Sequence, residues 1–138
     1  MKTKETSTLA TIICGANSSL ITDANVGDID KYFSERYVVN FGSSRKSGHT
    51  GIRGFTKTIH DAFSELSVDV EILVESGNRI SWQRCIHGTQ TGAFQGFPAS
   101  GLRMAWRDMV VSEIADGKIA EEWVVTDLAE ALLRSRKR

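Results

Sequence analysis

The hydrophobic period of the chain changes once, near Ser67, and this change limits the fold more than any other feature. Upstream, apolar residues recur at three- and four-residue spacing, as in the helix expected from Thr8 to about Ala24. Downstream, Val68 and Val70 begin an alternation with charged residues that predicts strands. Helices followed by a run of strands indicate an α+β protein with its helices on one face of an antiparallel sheet.

Four long strands are expected after the period change, because Gly77-Asn78 and Asp116-Gly117 are both typical hairpin turns. Such a sheet, strongly curved into a cone, would carry the N-terminal helices over its concave face. A short strand is expected at residues 37–41, a loop at 42–54 and a further helix at 55–66. We predict one domain over residues 1–138, since two domains in 138 residues would each be undersized.

Composition excludes several classes of protein. The 17 basic and 17 acidic residues cancel, so the chain has no electrostatic footprint for nucleic acid. The basic residues 134–138 are interpreted as a solvated helix end, with a nucleic-acid or membrane tail as the alternative. No apolar run approaches the roughly 20 residues of a membrane span. The unrelated surroundings of Cys14 and Cys85 favour free thiols and a cytoplasmic protein.

Strand alternation sorts the sheet residues by face. The face with the largest side chains, taken as the interior, carries three indoles with polar groups among them: Trp82, Trp106, Trp123, Arg84, Gln90, Asp108 and Asp127. Apolar walls with a few convergent polar groups predict a small-molecule cavity. The alternative is a packed core whose polar members lie at strand ends in water. A bulge in any strand would change the face of the residues after it.

The polar residues of this set each have two interpretations. Asp127 precedes a leucine-rich run, so it is either a helix N-cap or a catalytic acid/base. Arg84 either orients an anionic or carbonyl substrate or pairs with Asp108. Phosphate-binding loops and metal-ligand motifs are lacking, and His49, His60 and His87 share no spacing that would complete a metal site. We therefore expect a protein without a metal ion or cofactor.

Two stretches of the sequence resemble motifs of a known protein family. The stretch 88–101, GTQTGAFQGFPASG, and the stretch 116–127, DGKIAEEWVVTD, resemble the SnoaL-like polyketide cyclases, also called ester cyclases. Their pattern reads roughly GTHxGxFxGxxPTG and then DGKIxEEWxxxD, and weaker similarity extends the resemblance from about Leu9 to Leu133. The resemblance implies the cone-shaped fold of the nuclear-transport-factor-2-like proteins.

The resemblance also implies roles for individual residues. Asp127 matches the aspartate that acts as general acid/base in the cyclases, and Gln90 falls where the family often has histidine. Because glutamine does not exchange protons near neutral pH, Gln90 would only hydrogen-bond a carbonyl or enol. Asn40 lies at about the place of a second family histidine.

The sequence thus predicts a lyase or isomerase for a hydrophobic, polyketide-like carbonyl compound. Asp127 would take a proton from carbon, and Gln90, Asn40 or Arg84 would stabilise the enolate. The substrate-binding set is Asn40, Trp82, Arg84, Trp106, Asp108 and Trp123.

The sequence is also compatible with two alternative functions, and it predicts a homodimer. The rivals are a binding module without catalysis and an epoxide hydrolase built on Arg84, Asp108 and Asp127. A homodimer is expected through the outer sheet face, where Cys85, His87 and Thr89 of one strand would lie beside Val124 and Thr126 of another.

Overall fold

The computed structural model describes residues 7–136 as helices packed on one curved sheet. The helices are α1 (Thr8–Asn17), continued by a π-helical turn (Ser18–Thr22), then a 3-10 turn (Val26–Asp28), α2 (Ile29–Tyr32), α3 (Thr50–Ala62) and α4 (Leu128–Arg134). The strands are β1 (Phe33–Phe41), β2 (Ser44–Ser47), β3 (Phe63–Ser76), β4 (Arg79–Gln90), β5 (Arg103–Ala115) and β6 (Lys118–Thr126). Lys137 and Arg138 of the basic tail lie outside the described residues.

The sheet confirms the predicted α+β class but is larger than expected. Its strand order is β2-β1-β6-β5-β4-β3, which makes six strands in place of four. All neighbours are antiparallel except β1 and β6, which run parallel. The strand β2 lies inside the segment 42–54, which was predicted to be a loop. It was missed because its Ser-Arg-Lys-Ser sequence is exposed throughout and has no hydrophobic pattern. Polar sequence of this kind is common at sheet edges.

The boundary between α3 and β3 also differs from the sequence prediction. The helix α3 starts at Thr50 and ends at Ala62, and the strand begins at once with Phe63. The register of β3 against β4 shifts between Ser64 and Ser67, and Glu65 there has a φ of 52°. This bulge gives the start of β3 an apolar spacing that resembles a helix, so the predicted strand, which starts at Val68, began five residues late.

Two groups of buried side chains stabilise the arrangement. One group, which includes Ile13 and Ile80, holds α1 on the sheet, and the other, which includes Ile59 and Phe63, holds α3 and α4. Full burial of a side chain of this size contributes about 1.5–3 kcal/mol. Among the described residues, every helix is too short or too polar to cross a bilayer.

A second bulge, in β6, decides which residues reach the interior. Glu121 pairs with Glu113, but the next pair on β5 and β6 is Ile114 with Ile119, so Ala120 is an extra residue. One extra residue reverses the alternation of every later side chain in the strand. Glu122 is therefore turned inward, as are Val124 and Thr126, which the sequence placed on the outer face.

Candidate functional site

A cavity of about 490 Å³ lies between the sheet, the helices and the loop that joins β4 to β5. Its volume lies within the range of about 300–1,000 Å³ that is usual for small-molecule sites. Most of its wall is aliphatic or aromatic, with contributions from Leu20, Ile21, Phe33, Val39, Phe41, Ile52, Phe55, Phe94, Phe97, Ile119, Val124, Leu128 and Leu132. A smaller depression beside Cys14 and Asp69 shares Asn17 with it.

Four residues of the predicted substrate-binding set line this cavity: Trp82, Arg84, Trp106 and Asp108. Both indoles are buried, and the Trp82 ring nitrogen donates a hydrogen bond to Ser112 Oγ at 2.9 Å. The ladder between β4 and β5 runs without a register shift, so simple alternation predicts their faces correctly.

The other two predicted binding residues lie outside the cavity lining. Trp123 follows the bulge at Ala120 and is on the outer face, where the guanidinium carbon of Arg79 lies 5.0 Å from the ring centroid. Asn40 is directed away as well, since its neighbours Val39 and Phe41 are the ones that face the cavity. Its amide donates to Glu121 Oε2 at 2.9 Å, and its oxygen accepts from Arg45.

Asp127 is also turned away from the cavity by the bulge in β6. Its Oδ1 accepts a hydrogen bond from the backbone N–H of Arg107 at 2.7 Å, so it extends the pairing of β6 with β5. It occupies the N-cap position of α4, but its side chain makes no capping hydrogen bond. The Asp–Arg–Asp set of an epoxide hydrolase is thus not assembled, because only Arg84 and Asp108 share the cavity.

Gln90 serves as an internal clamp. The residue is fully buried, and its Nε2 donates to the carbonyl oxygens of Gly92 and Phe97, each at 3.2 Å. Its Oε1 accepts from Nη1 of Arg136 at 3.0 Å, and Arg136 also donates to the carbonyl of Pro98. These bonds tie the β4–β5 loop to the end of α4, and they occupy the amide that was expected to hold an enolate.

Arg84 and Asp108 form the charged pair of the cavity. They are directly opposite each other on β4 and β5, and Arg84 Nε lies 2.8 Å from Asp108 Oδ2. Arg84 Nη1 donates to Asn17 Oδ1 at 2.8 Å, while the Asn17 amide nitrogen donates to the carbonyl of Ile13. Asn17 is therefore fixed with its oxygen toward the guanidinium. Among residues 7–136, no group donates a hydrogen bond to the buried Asp108 Oδ1.

Glu122 is a second carboxyl group in the cavity wall. The Tyr37 hydroxyl donates to its Oε1 at 2.7 Å, and the Ser112 hydroxyl donates to its Oε2 at 2.5 Å. Burial raises the pKa of Glu122, although these two donors and the charge of Arg84 act in the opposite direction. The pKa of Tyr37 is also raised, chiefly by its burial and then by the nearby Glu122.

Sequence reasoning missed Asn17, Tyr37 and Glu122. A signal for Glu122 was present, because in either phase of β6 one of the adjacent residues Glu121 and Glu122 must face inward. Asn17 and Tyr37 carried no such signal, since each looks like an ordinary member of its helix or strand.

The two cavity carboxyl groups have different electrostatic surroundings. Asp108 faces a fixed positive charge, whereas Glu122 is desolvated among neutral hydroxyls. Within the described part of the chain, no three His, Cys, Asp or Glu side chains are grouped to hold a metal ion. The absence of a metal and of a cofactor stays a prediction.

Comparison with known proteins adds the family relationship. Residues 11–134 match the sequence model of the SnoaL-like polyketide cyclases. No curated protein matches the chain. A SnoaL-like polyketide cyclase from Agrobacterium tumefaciens is 24% identical, with a TM-score of 0.76 over 95% of this chain and 99% of that one.

Two further solved structures have a similar fold. TsrD from Streptomyces laurentii is 21% identical, with a TM-score of 0.81 over 96% of this chain and 97% of that one. A protein from Acidithiobacillus ferrooxidans reaches a TM-score of 0.84 at 19% identity, over 97% and 98% of the two chains. At these identities the structural similarity supports the fold alone.

Proposed function

This chain belongs to the SnoaL-like polyketide cyclase family, and on that premise we propose that it is a lyase or isomerase that needs no cofactor. Its substrate is an apolar carbonyl compound bound in the cavity of about 490 Å³. The reaction begins when a proton is removed from the carbon next to the carbonyl. We assign the proton acceptor to Asp108 in place of Asp127.

One observation carries this assignment: Asp108 is a buried residue of the cavity lining, and its Oδ1, itself buried, accepts no hydrogen bond from residues 7–136, so that a rotation of the carboxyl group would present a free lone pair to the cavity. A general base must have a lone pair within hydrogen-bond reach of the proton that it abstracts. Asp127 Oδ1 lacks this freedom, because it is committed to the backbone of Arg107.

Arg84 and Glu122 are the other charged or titratable residues of the proposed site. Arg84 is held by Asp108 and Asn17, so its positive charge is fixed near the position where an enolate oxygen would develop. Pre-organised charge of this kind stabilises an anionic transition state without reorganisation. Burial raises the pKa of Glu122, so it holds a proton more readily than an exposed glutamate, and the proton that Asp108 takes returns to the substrate from Asp108 itself.

Deuterium exchange tests the proposal. The probe is 1-tetralone, a bicyclic ketone with a CH₂ group next to its carbonyl, incubated with the protein in D₂O and followed by proton NMR. We expect the CH₂ signal to disappear faster than in matched buffer. Binding of 1-tetralone without faster exchange would favour the alternative, a binding module without catalysis.

We also propose that the chain forms a homodimer through the outer face of β5 and β6. Met109 and Val125 are paired there, and they are 44% and 70% exposed. They replace Val124 and Thr126 of the sequence prediction, which line the cavity. Analytical ultracentrifugation should give twice the 15.2 kDa chain mass, and Val125→Lys should shift it toward the monomer. The cytoplasmic location remains a prediction.

A further inference from the structure

We infer that residues 93–100, in the loop that joins β4 to β5, form a flap over the cavity and that Arg136 is the latch that holds it closed. Opening of this flap admits and releases the ligand. The inference rests on the proposed function only in that the cavity takes a small molecule. It goes further by assigning ligand exchange to one segment and its control to one side chain.

The flap is a small unit with its own internal hydrogen bonds. Phe94 and Phe97 exchange two backbone bonds of 2.8 Å, and the turn between them consists of Gln95 and Gly96, with φ values of 42° and 86°. A two-residue turn with two positive φ angles closes a tight hairpin. The flap ends at Gly101, whose φ is 70°, and a glycine can absorb a change of backbone angles at a hinge. This segment can therefore swing as one body.

Few polar contacts hold the flap on the rest of the molecule. Among residues 7–136, two hydrogen bonds join it to elements beyond the loop: Gln90 Nε2 donates to the carbonyl of Phe97 at 3.2 Å, and Arg136 donates to the carbonyl of Pro98. Arg136 Nη1 also donates to Gln90 Oε1 at 3.0 Å, so the same guanidinium orients the other donor. Its carbon lies 5.2 Å from the centroid of the Phe97 ring. Both polar attachments of the flap thus depend on Arg136.

The latch joins two walls of the cavity at a place where the cavity reaches solvent. These walls come from the flap and from α4, and their lining residues are Phe94, Gln95, Phe97, Leu128, Ala129 and Leu132. Gln95 on the flap and Ala129 on α4 are exposed, so both walls extend to the mouth. Arg136 follows α4 and bonds the flap. Loss of its bonds would let the flap move away from α4 and widen the mouth.

A latch has a kinetic signature that a merely structural residue does not give. When a ligand passes only through the open state, its association and dissociation rates both scale with the fraction of molecules that are open, whereas Kd stays the same. Hydrogen bonds from a charged donor are stronger than neutral ones, so removal of the guanidinium should raise the open fraction by about tenfold.

Stopped-flow fluorescence measures both rates. The probe is prodan, an uncharged naphthalene ketone whose fluorescence rises when it leaves water, and it is mixed with the full chain. For Arg136→Gln we expect association and dissociation rate constants each about tenfold above the wild type, with Kd changed by less than about threefold. Arg134→Gln is the matched control, because the ion pair of Arg134 with Glu130, at 3.6 Å, stays within α4. Its rates should equal those of the wild type.

Limited proteolysis tests the latch without a ligand. Chymotrypsin cleaves after phenylalanine, and it reaches Phe94, which is 7% exposed, only when the flap lifts. Phe41 is 48% exposed and serves as the internal reference. Arg136→Gln should speed cleavage after Phe94 relative to cleavage after Phe41, and Arg134→Gln should not. Mass spectrometry of the fragments gives this ratio.

The possible results are distinct. Equal rate constants for Arg136→Gln and Arg134→Gln overturn the inference, and so does a loss of affinity that comes from dissociation alone. An unchanged cleavage ratio overturns it as well. If prodan does not bind the wild type, the ligand cavity of the proposed function fails, while the cleavage ratio still supports or overturns the latch. Should Arg136→Gln not fold, Arg136→Lys replaces it in both assays, because lysine keeps the charge but lacks the fork that bridges two acceptors.

Discussion

Two pairs of polar residues in this protein have opposite surroundings. Gln90 and Asp127 come from the two sequence motifs that resemble the family, and their hydrogen bonds go to the loop, the C-terminal segment and a neighbouring strand. Asp108, outside both motifs, and Glu122, inside the second, line the cavity; Asp108 Oδ1 has no donor among residues 7–136, and burial raises the pKa of Glu122. Residues that match a family motif can thus hold the frame of a site, while the cavity lining also draws on Asp108, which lies outside both motifs.

The largest expected effect comes from replacing one aspartate of each pair with asparagine. Asp108→Asn should lower the rate of deuterium exchange into 1-tetralone by roughly 10²–10⁴-fold, the usual contribution of a positioned general base. Asp127→Asn should lower it by less than about threefold, because asparagine retains an oxygen for the N–H of Arg107. Initial exchange rates by NMR measure both. The reverse order would restore Asp127 as the acid/base and end our assignment.

The next largest effect concerns the clamp at Gln90. Gln90→Ala should lower the free energy of unfolding by about 2–4 kcal/mol, because it opens a void and leaves the carbonyls of Gly92 and Phe97 without their donor. Urea denaturation measures the loss. Gln83→Ala, at a partly buried residue of the same strand, is the control and should change stability by less than about 1 kcal/mol. Similar values for the two variants would contradict the clamp.

A smaller effect is expected from truncating Asp127. Asp127→Ala removes the acceptor for the Arg107 N–H and should cost about 1 kcal/mol of unfolding free energy. Asp127→Asn should cost less, since an amide oxygen can accept the same bond. Equal losses in thermal or urea unfolding would show that this hydrogen bond is not what Asp127 contributes.

The smallest expected effect is the dependence of stability on pH that comes from Glu122. Because the pKa of Glu122 is raised in the folded protein, the folded state keeps this proton at pH values where the unfolded chain has lost it. This carboxyl therefore favours the folded state most at low pH, and its contribution falls as pH rises through the folded pKa. Glu122→Gln should retain more of its pH 5 stability at pH 8 than the wild type does. If the urea midpoints of Glu122→Gln and of the wild type changed equally between pH 5 and pH 8, the raised pKa of Glu122 would be contradicted.

The comparison also shows what the sequence could predict. On β4 and β5 the alternation of side chains is uninterrupted, so Trp82, Arg84, Trp106 and Asp108 follow directly from strand phase. On β6, Trp123 was placed wrongly, because a bulge at Ala120 leaves no mark in a sequence of ordinary strand residues. The edge strand β2 was missed for a related reason, since exposed polar residues give no periodic signal.

The bulge at Ala120 also has a consequence for how this chain could change in length. Deleting Ala120 would leave Ile119 and Glu122 on the same face as now, because the strand would simply become regular. Inserting one residue between Glu121 and Glu122 would do the opposite, turning Trp123 inward and Glu122 outward. In this hairpin, a single inserted codon would exchange an acid for an indole in the binding chamber. An insertion at this point would therefore change more than one side chain of the chamber at once.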